Sequence, residues 1–388
     1  MIRPMNASTI GRNSGLDTLR ALAILLVFAN HYMIFVSGQP TFGWVSEIGW
    51  AGVDLFFALS GYLIGNQILS GIRKEQAGTE RFSLARFYAR RLLRTLPNFY
   101  AVLALYALWP AMRGASELPP LWKFLTFTQN IDLRPGTAFS HAWSLCVEEQ
   151  FYFLLPALAL GIAMLRKSLA WAWLTVAGAL LAGMAVRSHL WSGLSEAELG
   201  SAHYYTQIYY ASWCRFDELV CGVALALLKN YHSAVWTRIT AYGNWTLAAG
   251  VALTALTGHY LLEDHFGYTM TVYGYPLLGL SFCLLLLAAL SPGSVLQRWR
   301  VPGAASLALW SYAIYLTHKQ LCVLLRAPLE EQGWGPESWQ ALLIMGAASA
   351  LVGWLLYLCV ETPFMKLRDR YVPSNYANSS RSRQTVTA

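Results

Sequence analysis

The run Leu19-Arg-Ala-Leu-Ala-Ile-Leu-Leu-Val-Phe-Ala-Asn-His31-Tyr-Met-Ile-Phe-Val36 reads as a membrane helix, apolar but for Arg20, Asn30 and His31. The spacing of Arg20 and His31 leaves them about 20° apart around a helix and about 16 Å apart along it. One face therefore carries a permanent cation at its start and an imidazole deep in the span. Ionisable groups are costly inside a bilayer, and a pair of them on one face points to function. The plainer alternative is an interfacial Arg20 and a core His31 bonded to a neighbouring helix.

The rest of the chain is built the same way. Of its 388 residues 56% are hydrophobic and only 12% charged, and the mean hydropathy is +0.40. Soluble domains carry about 25% charged residues, so an all-α integral membrane protein is expected. Ten segments are long enough to span a hydrocarbon core. They are Leu19–Val36, Trp50–Leu69, Leu93–Trp109, Leu145–Leu165, Leu169–Val186, Tyr209–Leu228, Trp245–Leu262, Thr271–Leu290, Leu307–Leu325 and Ala341–Val360. The first is long and has no small-x-small cleavage site, as an uncleaved signal anchor would. No separate soluble domain is expected: residues 1–370 form one membrane domain, and 371–388 a polar, disordered cytoplasmic tail.

The net charge of +8 is a topology signal, with no nucleic-acid partner implied. With the N-terminus in the cytoplasm, the inner side holds Arg3, Arg12 and Arg20, then Arg73, Lys74, Arg81, Arg86, Arg90, Arg91 and Arg94. Arg166, Lys167, Lys229, Arg238, Arg298 and Arg300 follow, then Lys366, Arg368, Arg370, Arg381 and Arg383. That is most of the 28 basic residues, as the positive-inside rule requires, and both termini are then cytoplasmic. Trp50, Trp109, Trp143, Trp245 and Trp310 lie near span ends, as an interfacial belt would. The six cysteines are scattered singly and read as small hydrophobes, with no metal site or disulfide framework.

Depth sorts the remaining polar residues. Counted along their spans, His31, Asp54, Glu148 with Glu149, Asp217 with Glu218, and His318 with Lys319 fall in one layer of the outer half of the membrane. Five helices converging at one depth imply a shared polar cavity. Imidazoles and carboxylates together suit general acid–base catalysis, because a carboxylate on one imidazole nitrogen frees the other to take a proton from a hydroxyl. Glu148 and Asp54 are both candidates to serve His31. Ser144 or Ser60 as nucleophile ranks lower, since neither sits in a Gly-x-Ser-x-Gly elbow.

At the opposite depth, Arg91 and Arg94 share a helical face, and Arg20 lies at the same level. Guanidinium groups in pairs suit bidentate recognition of phosphate, although a basic loop that only sets topology has the same look. A phosphorylated ligand bound there can send a thiol-bearing arm up toward His31. Gly61-Tyr-Leu-Ile-Gly65 reads as a close-packing motif, and Thr362-Pro363 as the end of the last helix, with Glu361 at the interface.

These motifs, in this order, resemble the membrane-bound acyltransferase-3 family of sugar and glycan O-acyltransferases. The match runs from Gly15-Leu-Asp-Thr-Leu-Arg20 to Glu361-Thr-Pro363 and includes the Arg20-x10-His31 spacing. Gly52-Val-Asp-Leu-Phe-Phe-Ala-Leu-Ser-Gly-Tyr-Leu63, Arg91-Leu-Leu-Arg94 and Trp143-Ser-Leu-Cys-Val-Glu-Glu-Gln-Phe-Tyr152 also fit. Arg215-Phe-Asp217 with Gly222, and Ser311-Tyr-Ala-Ile-Tyr-Leu-Thr-His318, complete the series.

The resemblance implies a multi-pass enzyme of the bacterial inner membrane that takes an acyl group, usually acetyl, from cytoplasmic acyl-CoA. No permanently bound cofactor or metal is implied. His31 would be the base or a transient acyl carrier, with Glu148 and Asp54 as catalytic partners and Arg20, Arg91 and Arg94 at the donor. Ser60, Tyr62, Trp143, Glu149, Tyr152, Arg215, Asp217 and His318 would face substrate. The acceptor is a sugar or glycan, free or lipid-linked, and the family does not assign it. Relatives with an added hydrolase-like domain use it for the final transfer; this chain is expected to act without one or with a partner. A transporter or flippase is the rival class, against which no matching halves or paired broken helices are visible.

Overall fold

The computed structural model describes residues 13–165 and 168–373, and every regular element within them is helical. Ten long helices carry the fold. They are α1 (Ser14–Tyr32), α2 (Ala51–Gln76), α3 (Leu84–Leu108), α4 (Trp143–Met164), α5 (Leu169–Ser192), α6 (Asp217–Tyr231), α7 (Gly243–Glu263), α8 (Tyr275–Leu290), α9 (Ala304–Glu330) and α10 (Trp339–Leu356). Each expected span falls on one of them. The tail from Ser374 onward, and with it Arg381 and Arg383, lies outside the described residues, as do Arg3, Arg12, Arg166 and Lys167.

Among the described residues, six stretches are long and apolar enough to cross a membrane: Ser14–Ser37, Ala51–Gln76, Ser140–Met164, Leu169–Ser192, Met270–Leu290 and Trp339–Tyr371. Joining α6 to Ser233–Thr240, from which it is bent by 109°, makes a seventh. Helix α3 falls short because Arg86, Arg90, Arg91 and Arg94 occupy its first half. Helix α9 falls short because it gives Ser311, Thr317, His318, Lys319 and Gln320 to the core. Large apolar side chains such as Leu158, Trp171, Leu174, Leu181 and Leu256 stand exposed on the outside of the bundle, a surface suited to lipid. The chain is a multi-pass membrane protein.

Two expected boundaries are corrected. The sixth span does not begin at Tyr209: a π turn (Tyr205–Tyr209) and a 3-10 turn (Ser212–Cys214) precede α6, which starts at Asp217. Nor does Thr362-Pro363 end the last helix. After α10 a π turn (Tyr357–Glu361) leads into a further helix, Thr362–Tyr371, whose first turn holds Pro363, where a missing N–H costs nothing.

Three features position the site. Helix α1 packs against α2, α8 and α9, its start capped by the Asn13 side chain, which accepts from Leu16 N at 2.9 Å. Helices α2 and α6 meet backbone to backbone: Gly61 lies against Leu219 and Gly222 against Ala58, and a Cβ on Gly65 would come within 3.2 Å of Val223 Cα. The Gly61/Gly65 pair is therefore the packing device expected of small residues in membrane helices. Finally, the long connection between α3 and α4 folds back on the bundle. Its Met112, Phe124 and Phe139 join Phe99 and Tyr106 of α3 and Leu316 of α9 in one apolar cluster, and this brings Ser140 and His141 against α9.

Candidate active site

The last turn of α1 and the middle of α9 meet at two imidazoles. Nδ1 of His31 lies 2.8 Å from Nε2 of His318, and the rings stack with centroids 5.0 Å apart and planes within 4°. Nδ1 of His318 lies 2.8 Å from the carbonyl of Ile314, one helical turn back. A carbonyl only accepts, so that nitrogen carries the proton, and in the neutral ring Nε2 is the acceptor. Nδ1–H of His31 then donates to His318. Nε2 of His31, which makes no hydrogen bond among the described residues, keeps its lone pair. His141 stands edge-on to His31 with centroids 6.0 Å apart. His31 and His141 line a cavity of about 640 Å³ walled by Trp50, Trp143, Tyr205, Tyr209 and Tyr210, with Glu47 and His265 at its margin.

The partner expected for His31 was a carboxylate, Glu148 or Asp54, and neither is there. Glu148 accepts from Ser60 Oγ at 2.8 Å. Asp54 is fully buried and bonded to Arg215. The helix register explains the difference. His31 points toward α9, whereas Asp54 on α2 points toward α6, so equal depth did not mean a shared cavity.

Glu148 and Glu149 belong to a second cavity, of about 190 Å³, which Arg20, Arg91 and Arg94 line together with Ser60, Ser144, Tyr152 and Tyr315. This is the grouping of arginines that their spacing predicts. Two of the three charges are already engaged: Arg91 donates to Glu149 at 3.2 Å with its guanidinium carbon 3.2 Å from the Tyr152 ring centroid. Arg20 pairs with Asp17 at 3.7 Å, one turn earlier. Val53 lines both cavities. Beside it, Ser144 Oγ lies 2.6 Å from Tyr315 Oη, and Tyr315 Oη donates to the His141 carbonyl at 2.6 Å. Since the tyrosine proton is committed there, the serine donates to the tyrosine, and Ser144 is a tie between α4 and α9.

The remaining expected residues line neither cavity. Arg215 is buried among aromatic rings, its guanidinium carbon 4.3 Å from the Tyr275 centroid, 4.6 Å from Tyr209 and 5.0 Å from Trp143. It thus holds from behind two rings that face the histidine cavity. Asp217 is gripped by Arg187 of α5 through two bonds of 2.5 and 2.9 Å, and Arg187 also donates to the carbonyls of Cys214 and Val272. Tyr62 is buried and accepts from Lys229 at 2.8 Å. Sequence reasoning missed His141, which sits two residues before the Trp143 motif, and Arg187, which falls one residue past the expected end of its span. A histidine next to a motif, and a cation in an apolar run that continues beyond it, were the available signals.

Known proteins supply the context. The sequence profile of the acyltransferase-3 family, an acyltransferase domain, matches residues 13–358. The chain is 26% identical over 375 residues to the peptidoglycan O-acetyltransferase OatA of Listeria monocytogenes, covering 90% of this chain and 55% of that one. It is 26% identical over 369 residues to the putative peptidoglycan O-acetyltransferase YrhL of Bacillus subtilis (90% and 54%). To the O-acetyltransferase OatA of Staphylococcus aureus it is 23% identical over 377 residues (91% and 57%). The chain spans about half the length of the curated relatives it matches. No solved structure matches it. With the profile running from the start of α1 past the end of α10, the chain belongs to the acyltransferase-3 family.

Proposed function

We propose that this chain is an inner-membrane O-acetyltransferase that moves an acetyl group from acyl-CoA to a hydroxyl of a glycan, with peptidoglycan the acceptor suggested by the names of its relatives. The observation that carries the reading is His31 on the wall of a large aromatic cavity, held by His318 so that one unengaged imidazole nitrogen faces no protein partner. Saccharide rings stack on aromatic faces such as Trp50, Trp143 and Tyr209, and a sugar hydroxyl held there comes within reach of a base. Nε2 of His31 takes the hydroxyl proton as the oxygen attacks the thioester carbonyl carbon. The C–S bond breaks, and the departing thiolate takes the proton back from His31.

The arginine cavity is the donor side. Arg20, Arg91 and Arg94 bind CoA phosphate, which competes with Glu149 for Arg91. The pantetheine arm then crosses at Val53, roughly the 16 Å that separates Arg20 from His31 along α1. In this reading all ten long helices belong to one membrane unit over residues 1–370. Both termini and the arginine cavity face the cytoplasm, and the histidine cavity faces outward. Asp54, Arg215 and Asp217 hold the walls and do not touch substrate.

Membranes carrying the wild-type chain should transfer label from acetyl-CoA to a glycan fraction, and membranes carrying His31→Ala should not. Full transfer by His31→Ala would sink the mechanism. Absence of any transfer by wild type, with movement of a glycan across the membrane instead, would favour a transporter.

A further inference from the structure

One charged group beside the histidine pair has no counter-charge. Lys319, the residue after His318, is buried, and no carboxylate pairs with it among the described residues. Its ammonium sits 4.0 Å from the Phe35 ring centroid and donates to Ser140 Oγ at 3.1 Å. Ser140 is buried as well, and its hydroxyl proton has no acceptor among the described residues. Ser140, Phe35, His31 and His141 all line the same cavity, with the ammonium behind them.

A buried cation without a partner is costly unless an anion forms nearby. A hydroxyl whose oxygen accepts from a cation is a stronger donor through its own proton. We propose that the Ser140 hydroxyl donates to the oxyanion of the tetrahedral intermediate, with Lys319 as the positioning residue that orients and polarises it. This inference rests on the acyl-transfer reading above. When the acceptor oxygen bonds to the thioester carbon, the carbonyl π electrons move onto the carbonyl oxygen, and that negative charge is what Ser140 and Lys319 stabilise. Collapse re-forms the C=O bond, expels the thiolate and returns the local charge to its starting value. The arrangement thus favours the transition state over the bound substrates, which is the condition for raising kcat.

The full chain in proteoliposomes, given labelled acetyl-CoA and soluble peptidoglycan fragments with free or amidated carboxylates, tests this. Ser140→Ala should lower kcat by about 10²-fold with both KM values within about two-fold of wild type. Ser140→Thr, which keeps the hydroxyl, should recover to within about ten-fold of wild type, and Lys319→Met should fall as Ser140→Ala does. Thermal melting in detergent confirms that each variant is folded. The inference is overturned if folded Ser140→Ala keeps half or more of the wild-type kcat. It is overturned equally if Lys319→Met raises KM for free-carboxylate fragments alone, since Lys319 would then bind an anionic acceptor. An inactive wild type removes the acyl-transfer reading and this inference with it. An active wild type with an inactive His31→Ala keeps that reading whatever Ser140 does.

Discussion

The two cavities that meet at Val53 handle polarity in opposite ways. In the histidine cavity, about 640 Å³ in size, imidazoles bond to one another and to backbone, and the chain of bonds ends on one nitrogen with nothing attached. In the arginine cavity, about 190 Å³, two of the three arginines are matched by carboxylates, Arg91 by Glu149 and Arg20 by Asp17. A network of imidazoles leaves one nitrogen poised for a proton. A salted, compact one is a site where an anion binds by displacing a carboxylate from Arg91 and joining Arg94. The first is built for chemistry and the second for selective docking.

The largest effect should come from breaking the first network at its end. His31→Ala is expected to lower acyl transfer by about 10³-fold or more without changing the concentration of donor needed for half-maximal rate. Arg187→Met should damage both cavities equally, because it strands Asp217 as a buried charge. The expected loss is about 3–5 kcal/mol of stability, read as a fall in melting temperature in detergent. His318→Ala removes the acceptor that holds the His31 tautomer and should cost about 10²-fold in rate, while His318→Asn, whose amide oxygen still accepts, should cost less. On the other side of Val53, Arg91→Ala should raise the donor KM by roughly ten-fold and spare kcat. If an arginine variant instead changed kcat alone, the division of labour between the cavities would be wrong.

The smallest effect concerns His265, in the loop before α8, which burial and then the charge of Arg215 lower to about 4. A histidine with a lowered folded value stabilises the fold above its unfolded value near 6.5 and loses that contribution as pH falls toward 4. His265→Gln should soften the decline in melting temperature between roughly pH 6.5 and 4.

Much of this was legible because membrane helices advertise themselves. The apolar runs fall on the ten long helices, six or seven of which are long and apolar enough to cross a membrane, and helical spacing alone grouped Arg91 with Arg94 and set Arg20 below His31. What failed was the step from depth to contact. Asp54, Glu148 and His31 lie at similar depths on different helices, and depth says nothing of which way a side chain turns. The pairs Asp54–Arg215, Asp217–Arg187 and His31–His318 join residues far apart in the chain, and their choice among several compatible partners is made by packing. Gly222 against Ala58 illustrates the cause: the glycines bring α2 onto α6, and that contact turns Asp54 away from α1.

Helix α5 has only Gly183 and Arg187 buried among its 24 residues. Its exposed positions, such as Trp171, Leu174 and Leu181, can drift among apolar residues at little cost, while Val176, Leu180, Val186, Leu190 and Trp191 pack against the core. Arg187 cannot even become lysine, because one ammonium cannot reproduce a two-pronged grip on Asp217 together with bonds to two carbonyls. Freedom and constraint thus sit side by side on one helix. A library randomised at the exposed positions of α5 should tolerate nearly everything hydrophobic, and one randomised at Arg187 should reject nearly everything.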